Sequence, residues 1–295
     1  MFNIHLQTPL VLSLLLSLSL TALVSPAARA TELAPTATKP SADDLTGFSP
    51  ELQATLKGLE SWTLMVYDLR SGQTHGLNAK DWDLASIPAS TFKVPHSLIG
   101  LATEVISPRS VFVWDGQINE ISGWNQDHQL ASAMRASCVP CFQQLARKIG
   151  VARMQSQLQA LQFGQMDVRP ETLDSFWLTG NSRISPRQQV DFMRRLASRT
   201  LPVAKDVQEQ VIATIQDPEI PGLYGKTGWG RAPHQGFGDS SPEQRHYGWY
   251  VGFYQHQQRQ LAFAVRLIGK TPLPDGFVAA RQGLIVEYLK RSAQP

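Results

Sequence analysis

At 295 residues, with 42% apolar and 17% charged side chains, the chain suits one large globular domain or two small ones and is too apolar to stay disordered. Its formal charge is only +3, and no basic tract interleaves with aromatic residues, so nucleic acid is excluded as an expected partner.

In chain order, Leu10 to Val24 comes first, almost wholly apolar, with Ser and Thr as its only polar residues. Pro26 follows, then Ala28-Arg29-Ala30, the small-x-small pattern of a signal-peptidase site. The run is short for a membrane span. Residues 1–30 therefore read as a signal peptide cleaved near Ala30, sending the chain to a Gram-negative-type periplasm. The n-region departs from the usual pattern: it lacks Lys and Arg and offers only the amino terminus and His5. No later stretch is apolar for long enough to cross a bilayer, so the mature chain is expected to have no membrane span. Residues 31–44, rich in Ala, Thr, Pro and Lys, read as a flexible linker, leaving 45–295 for the folded domain.

Leu45 to Leu59 is expected as a short amphipathic helix. Trp62 to Leu69 has the β-branched and aromatic content of a strand, Arg70 to Gln73 that of a turn, and Thr74 to Asn78 returns as a second strand. The middle is helical: Ser90 to Glu104, Cys141 to Ile149 after Pro140 in a first turn, Gln155 to Leu161, Pro186 to Arg199 with Ser185 as N-cap, and Val203 to Gln216. Strands return at Leu223–Trp229, Gly248–Tyr254 and Leu261–Ile268, and a helix over Phe277–Lys290 ends the chain. Strands at both ends with helices between predict an α+β fold. One antiparallel sheet is drawn from both chain ends and flanked by the terminal helices, with an all-helical lobe inserted over roughly 90–216. The cleft between the two is the expected site.

Two cysteines occur, Cys138 and Cys141. The C-x-x-C spacing suits zinc or redox chemistry, but zinc needs two more ligands, no His pair has ligand spacing, and no βαβ pattern adjoins. The preferred reading is two small core residues at a helix start, with a local disulfide as the alternative. The seven histidines read as surface or capping groups.

Chemistry is concentrated in Pro88-Ala89-Ser90-Thr91-Phe92-Lys93. Ser90 and Lys93, three apart, share a face if a helix starts here, about 4.5 Å apart along its axis. A serine needs a base to become a nucleophile, and a desolvated lysine is one. A solvated lysine titrates near about 10.4, and bringing it to about 7 takes roughly 4.6 kcal/mol against the charged form, which full burial supplies. The apolar groups offered are Phe92, Val139 and Trp177. Further along, Lys226-Thr227-Gly228 falls in an expected strand, where Lys and Thr suit a substrate carboxylate and Gly admits a close backbone approach. Gly225-Lys226-Thr227 is not a phosphate loop, because the Gly required five residues earlier is Ile220. Taken alone, Ser137 reads as a helix cap, Trp177 as a core aromatic and Arg281 as a solvated helix residue.

S-x-x-K followed by K-T-G is the signature of penicillin-recognising serine enzymes, and the chain resembles the class D β-lactamases from about residue 60 to the last helix. Ser90-Thr91-Phe92-Lys93 matches that family's S-T-F-K, and Ser137-Cys138-Val139 its S-x-V. Phe176-Trp177-Leu178 with Gly180 matches F-W-L-x-G. Lys226-Thr227-Gly228-Trp229 matches K-T/S-G, and Gly248-Trp249-Tyr250-Val251-Gly252 is similar to its W-W-V-G strand. One motif departs: Phe163-Gly164-Gln165 stands where the family has Tyr-Gly-Asn.

The resemblance implies the two-lobed fold of serine β-lactamases and transpeptidases, and hydrolysis of β-lactams through an acyl-enzyme on Ser90, giving antibiotic resistance. It implies that CO2 or bicarbonate carboxylates Lys93 (N6-carboxylysine), making it the base for both half-reactions, with Trp177 donating its indole N–H to that group. No metal and no dissociable cofactor are expected. Ser137 and Lys226 would relay a proton to the lactam nitrogen, and the backbone N–H groups of Ser90 and Trp229 would form the oxyanion hole. Arg281 would bind the substrate carboxylate. Thr227, Gly228, Trp229 and Val139 would line the substrate site. The partner is then a small-molecule β-lactam, with monomer and homodimer both open. Two rivals remain: a β-lactam sensor domain that is acylated without turnover, and a D-Ala-D-Ala transpeptidase or carboxypeptidase. Val139, where transpeptidases carry Asn, speaks against the second.

Overall fold

The structure, a computed structural model, describes residues 45–233 and 244–292. The expected leader and linker lie outside the described residues. The elements are α1 Pro50–Lys57, β1 Ser61–Asp68, β2 Thr74–Leu77, α2 Lys93–Ala102, β3 Val111–Phe112, β4 His128–Gln129, α3 Leu130–Arg135, α4 Val139–Ile149 and α5 Val151–Leu161. They continue with α6 Pro186–Ala197, α7 Lys205–Thr214, β5 Leu223–Pro233, β6 Gln244–His256, β7 Arg259–Gly269 and α8 Phe277–Arg291. Short 3-10 turns occupy Ala79–Asp81, Ala89–Phe92 and Ser122–Trp124.

Five strands form one antiparallel sheet in the order β2-β1-β7-β6-β5. The two ends of the chain meet where β1 pairs β7, Leu64 opposite Val265. Side chains alternate across a strand. Leu64, Val66, Phe263, Val265 and Leu267 thus share one face, packed with Leu52 and Leu56 of α1 and Leu284 and Ile285 of α8. Each such burial stabilises by about 1.5–3 kcal/mol. The other face meets α6 and the segment before the serine turn: Trp249 donates its indole N–H to the Ile87 carbonyl (2.9 Å) and Arg266 donates to that of Leu84. The α+β reading holds.

Boundaries moved where caps decide them. The first helix is shorter than 45–59 because Ser49 caps it, accepting the Leu52 N–H, and is itself held by Glu287 of α8, which accepts from both its N–H and its hydroxyl at 2.7 Å. In α6, Ser185 and Gln188 form the reciprocal capping box, with Pro186 in the first turn. The hairpin β3–β4 and helix α3 were not expected, since two-residue strands and a six-residue helix carry no usable periodicity.

Two expectations need correction. Cys138 and Cys141 form a disulfide and are not merely small core residues. From N-cap to third helical residue the Cα atoms are 5.4 Å apart, within disulfide reach. Nor are the histidines only surface groups, since His96, His128 and His246 are buried. His128 approaches both sulfurs, the three ligand atoms lying within 4.8 Å of one another. A disulfide has no thiolate to give a metal, and the His128 ring already bonds Ser132 Oγ and the Gly123 carbonyl.

Candidate active site

Ser90 lies in the 3-10 turn that runs into α2. Ala89 before it has φ +50°, a left-handed conformation that costs a non-glycine residue about 1–2 kcal/mol and sets the direction in which the serine leaves the turn. Lys93 opens α2, and its Nζ donates to Ser90 Oγ at 2.9 Å. The close i, i+3 pair expected from S-x-x-K is formed.

Lys93 is fully buried. Phe142 walls it, its Nζ lying 5.2 Å from that ring centroid. Trp177 stacks on Phe92 at 5.8 Å, and Phe176 meets both edge-on. Burial first, and the charge of Lys226 second, hold Lys93 well below the ordinary lysine range. Among the described residues no carboxylate pairs with it. Val139, the first residue of α4, is only half-buried. Phe142, one turn further along α4, forms the nearer wall.

The edge strand β5 lies against the serine turn, and glycine permits it. A Cβ on Gly228 would meet Thr91 Cγ2 at 3.1 Å and the Pro88 carbonyl at 3.2 Å. The close approach that Gly228 allows therefore includes this chain's own backbone. Lys226 reaches across to Ser137, donating to its Oγ at 3.1 Å and to the Thr227 carbonyl at 2.9 Å. Ser137 sits between α3 and α4 with φ +51°, next to the disulfide. Burial, then Arg281, push Lys226 down to about 7. Arg281 on α8 extends to β5, donating to the Gly228 carbonyl at 3.1 Å and, nearer home, to that of Val278 at 2.9 Å. It passes over Gly248, where a Cβ would come within 3.1 Å of its stem. Trp229 is half exposed (47%), its indole donating to His246 Nδ1 at 3.2 Å.

The expected residues therefore gather in two linked groups, Ser90–Lys93–Trp177 and Ser137–Lys226–Thr227–Arg281. Three contributors were missed. Phe142 completes the dry wall. Gln189 of α6 donates to Thr91 Oγ1 at 2.8 Å, and Thr91 in turn donates to the Pro88 carbonyl, bracing the serine turn. His96 is the third, and its three-residue spacing from Lys93 on α2 was the only available signal. Phe163-Gly164-Gln165 keeps its loop by other means: Gln165 and Arg183 exchange backbone hydrogen bonds at 2.8 and 2.7 Å, and Phe163 packs edge-on against Phe92 and Phe192.

A hydroxyl hydrogen-bonded to a buried amine held below the ordinary lysine range, beside a second lysine–serine pair on a sheet edge, is the arrangement of a serine acyl-transfer site of the penicillin-recognising type. The family model of the penicillin-binding protein transpeptidase domain matches residues 76–282. The chain is 37% identical to β-lactamase OXA-48 of Klebsiella pneumoniae over 218 residues, 72% of this chain and 77% of that protein. It is 36% identical to the probable β-lactamase YbxI of Bacillus subtilis over 208 residues, covering 70% and 73%. The class D β-lactamase YbXI from Nostoc superposes with a TM-score of 0.72 at 31% identity, over 83% of this chain and 99% of that one. The chain belongs to the class D β-lactamases.

Proposed function

We propose that this β-lactamase opens the ring of penicillin-type antibiotics by acylating Ser90 and then hydrolyses the ester, conferring resistance. The observation that carries the reading is the 2.9 Å hydrogen bond between Lys93 and Ser90 in a pocket whose burial favours the uncharged lysine. An ammonium can only donate, whereas an uncharged amine has a lone pair.

Such an amine also adds CO2, and the pocket suits the product. Trp177 Nε1–H is buried without an acceptor, and a donor left so costs about 1–3 kcal/mol. Lys93 would carry the carboxyl group and Trp177 would hold it beside Ser90. That group supplies a general base for acylation and for deacylation. No metal is called for.

The remaining roles follow from position. Lys226, hydrogen-bonded to Ser137, delivers a proton through that hydroxyl to the departing lactam nitrogen. Backbone N–H groups of Ser90 and of Trp229, on an edge strand with N–H groups to spare, receive the developing oxyanion, where each donor is worth about 10²–10³ in rate. Thr227 and the Arg281 fork take the substrate carboxylate, Gly228 and Trp229 line the strand side, and Val139 the opposite side. Residues 45–295 form the catalytic domain, with the helical lobe at 90–216, and the leader exports it to the periplasm.

The test is steady-state hydrolysis of a penicillin by the mature chain with and without bicarbonate. Turnover that rises with bicarbonate is expected. A stoichiometric Ser90 adduct without turnover at saturating bicarbonate overturns the reading in favour of a sensor. Cleavage of a D-Ala-D-Ala peptide in its place favours a carboxypeptidase.

A further inference from the structure

His96 follows Lys93 by three residues on α2 and is fully buried. Aromatic rings enclose it: Phe92 at 5.3 Å, Phe142 at 5.4 Å and, edge to face, Trp177 at 5.2 Å between centroids. Phe142 also faces Lys93 Nζ, and Trp177 stacks on Phe92. Neither imidazole nitrogen has a hydrogen-bond partner, and neither does Trp177 Nε1 in the same enclosure. Buried polar atoms are nearly always paired, so orphans clustered around one amine point to a polar group received there. Burial, with Lys93 beside it, lowers His96 to about 3. The ring is therefore neutral, with one N–H to donate and one lone pair. A Phe or Leu would fill the same space without leaving two polar atoms unpaired.

We propose that His96 is a positioning residue for the general base: its imidazole N–H is the second ring N–H donor, beside the indole of Trp177, to the two oxygens of a carboxylated Lys93. The inference rests on the carboxylated-lysine reading above and adds to it a residue that no motif contains. A carboxyl group accepts through both oxygens. The indole N–H and the Ser90 hydroxyl fill only two of its roughly four acceptor sites, leaving the others unpaired in a dry, aromatic box, where an unpaired charged acceptor is costly. His96 supplies a donor without bringing a positive charge, which would repel Lys93 before CO2 adds.

The experiment measures carboxylation, not turnover. Mature wild-type chain, His96→Leu and His96→Asn are equilibrated with ¹³C-bicarbonate, and the lysine carbamate resonance is titrated. His96→Leu should need about tenfold more bicarbonate for half-occupancy, the effect of losing one hydrogen bond of about 1.4 kcal/mol. His96→Asn, which keeps an N–H donor, should recover most of that loss. Identical half-occupancy in wild type and His96→Leu overturns the role of His96 and leaves the carboxylated lysine standing. No carbamate resonance in wild type overturns both. Should the leucine variant fail to fold, ¹⁵N-histidine spectra of the wild-type chain decide. Bicarbonate should shift the imidazole resonances that are missing from His96→Asn, and unmoved resonances overturn the proposal.

Discussion

On the proposed mechanism, Lys226 is the side chain whose protonation limits the reaction near neutral pH. Burial and then Arg281 bring it to about 7, so it is charged below that pH and neutral above. Its proposed role, proton donor through Ser137, needs the charged form. kcat/KM, which reports free-enzyme groups, should therefore fall as pH rises through about 7. Lys226→Arg cannot lose its charge in this range. Its rate should be lower throughout, but the basic limb should vanish from the profile between pH 6 and 9. A limb that survives in Lys226→Arg belongs to another group. K-T-G marked this lysine in the sequence, but its lowered pKa could not be read there, because its burial is set by tertiary packing and Arg281, 55 positions along the chain, approaches only through the packing of α8 on the sheet.

The element that holds Ser137 is the start of α4. Cys138 caps the helix through its sulfur, which accepts the Cys141 N–H at 3.2 Å, and the disulfide locks that turn. So short a loop removes little unfolded-state entropy, on the order of 2 kcal/mol. The double variant Cys138→Ala/Cys141→Ala should lower Tm by about 4–8 °C in thermal unfolding. Ser137, the proposed relay, is left in a left-handed conformation (φ +51°) with one fewer restraint, so kcat should drop more than KM rises. An unchanged Tm would mean the bridge does not constrain the unfolded chain. C-x-x-C was read first as a pair of core thiols and only second as a bond, and helix geometry at this one turn decided for the bond. The Phe163-Gly164-Gln165 loop illustrates the same limit. Its motif departs from the family's, yet its backbone pairs with Arg183, since Gly164 (φ +56°, a Cβ would lie 2.7 Å from the Arg183 carbonyl) is the residue that this geometry requires.

The molecule as a whole bears the cost of its dry lysine. In the folded state Lys93 titrates well below its ordinary 10.5, so between the two values the unfolded chain binds more protons than the folded one. Stability then rises with pH across that window and is lowest at its acid end. In bicarbonate-free buffer, Lys93→Met removes the amine and keeps an unbranched side chain. It should abolish β-lactam turnover yet raise Tm by several degrees at pH 6 and by less at pH 9, as read by calorimetry at both pH values. A gain equal at both would show that Lys93 is not held uncharged by the fold.

Local spacing and composition determined the strands at the two chain ends, the main helices between them, the S-x-x-K pair one turn apart and the order of the later motifs. These depend on nearest neighbours along the chain. The depth to which Lys93 is dried depended on the tertiary structure. So did Phe142 and Gln189 closing around the serine turn, Gly228 lying against Pro88 and Thr91, and His96 ending with both nitrogens unpaired. Desolvation is a property of what surrounds an atom in space, and here the surroundings come from segments far apart in the chain.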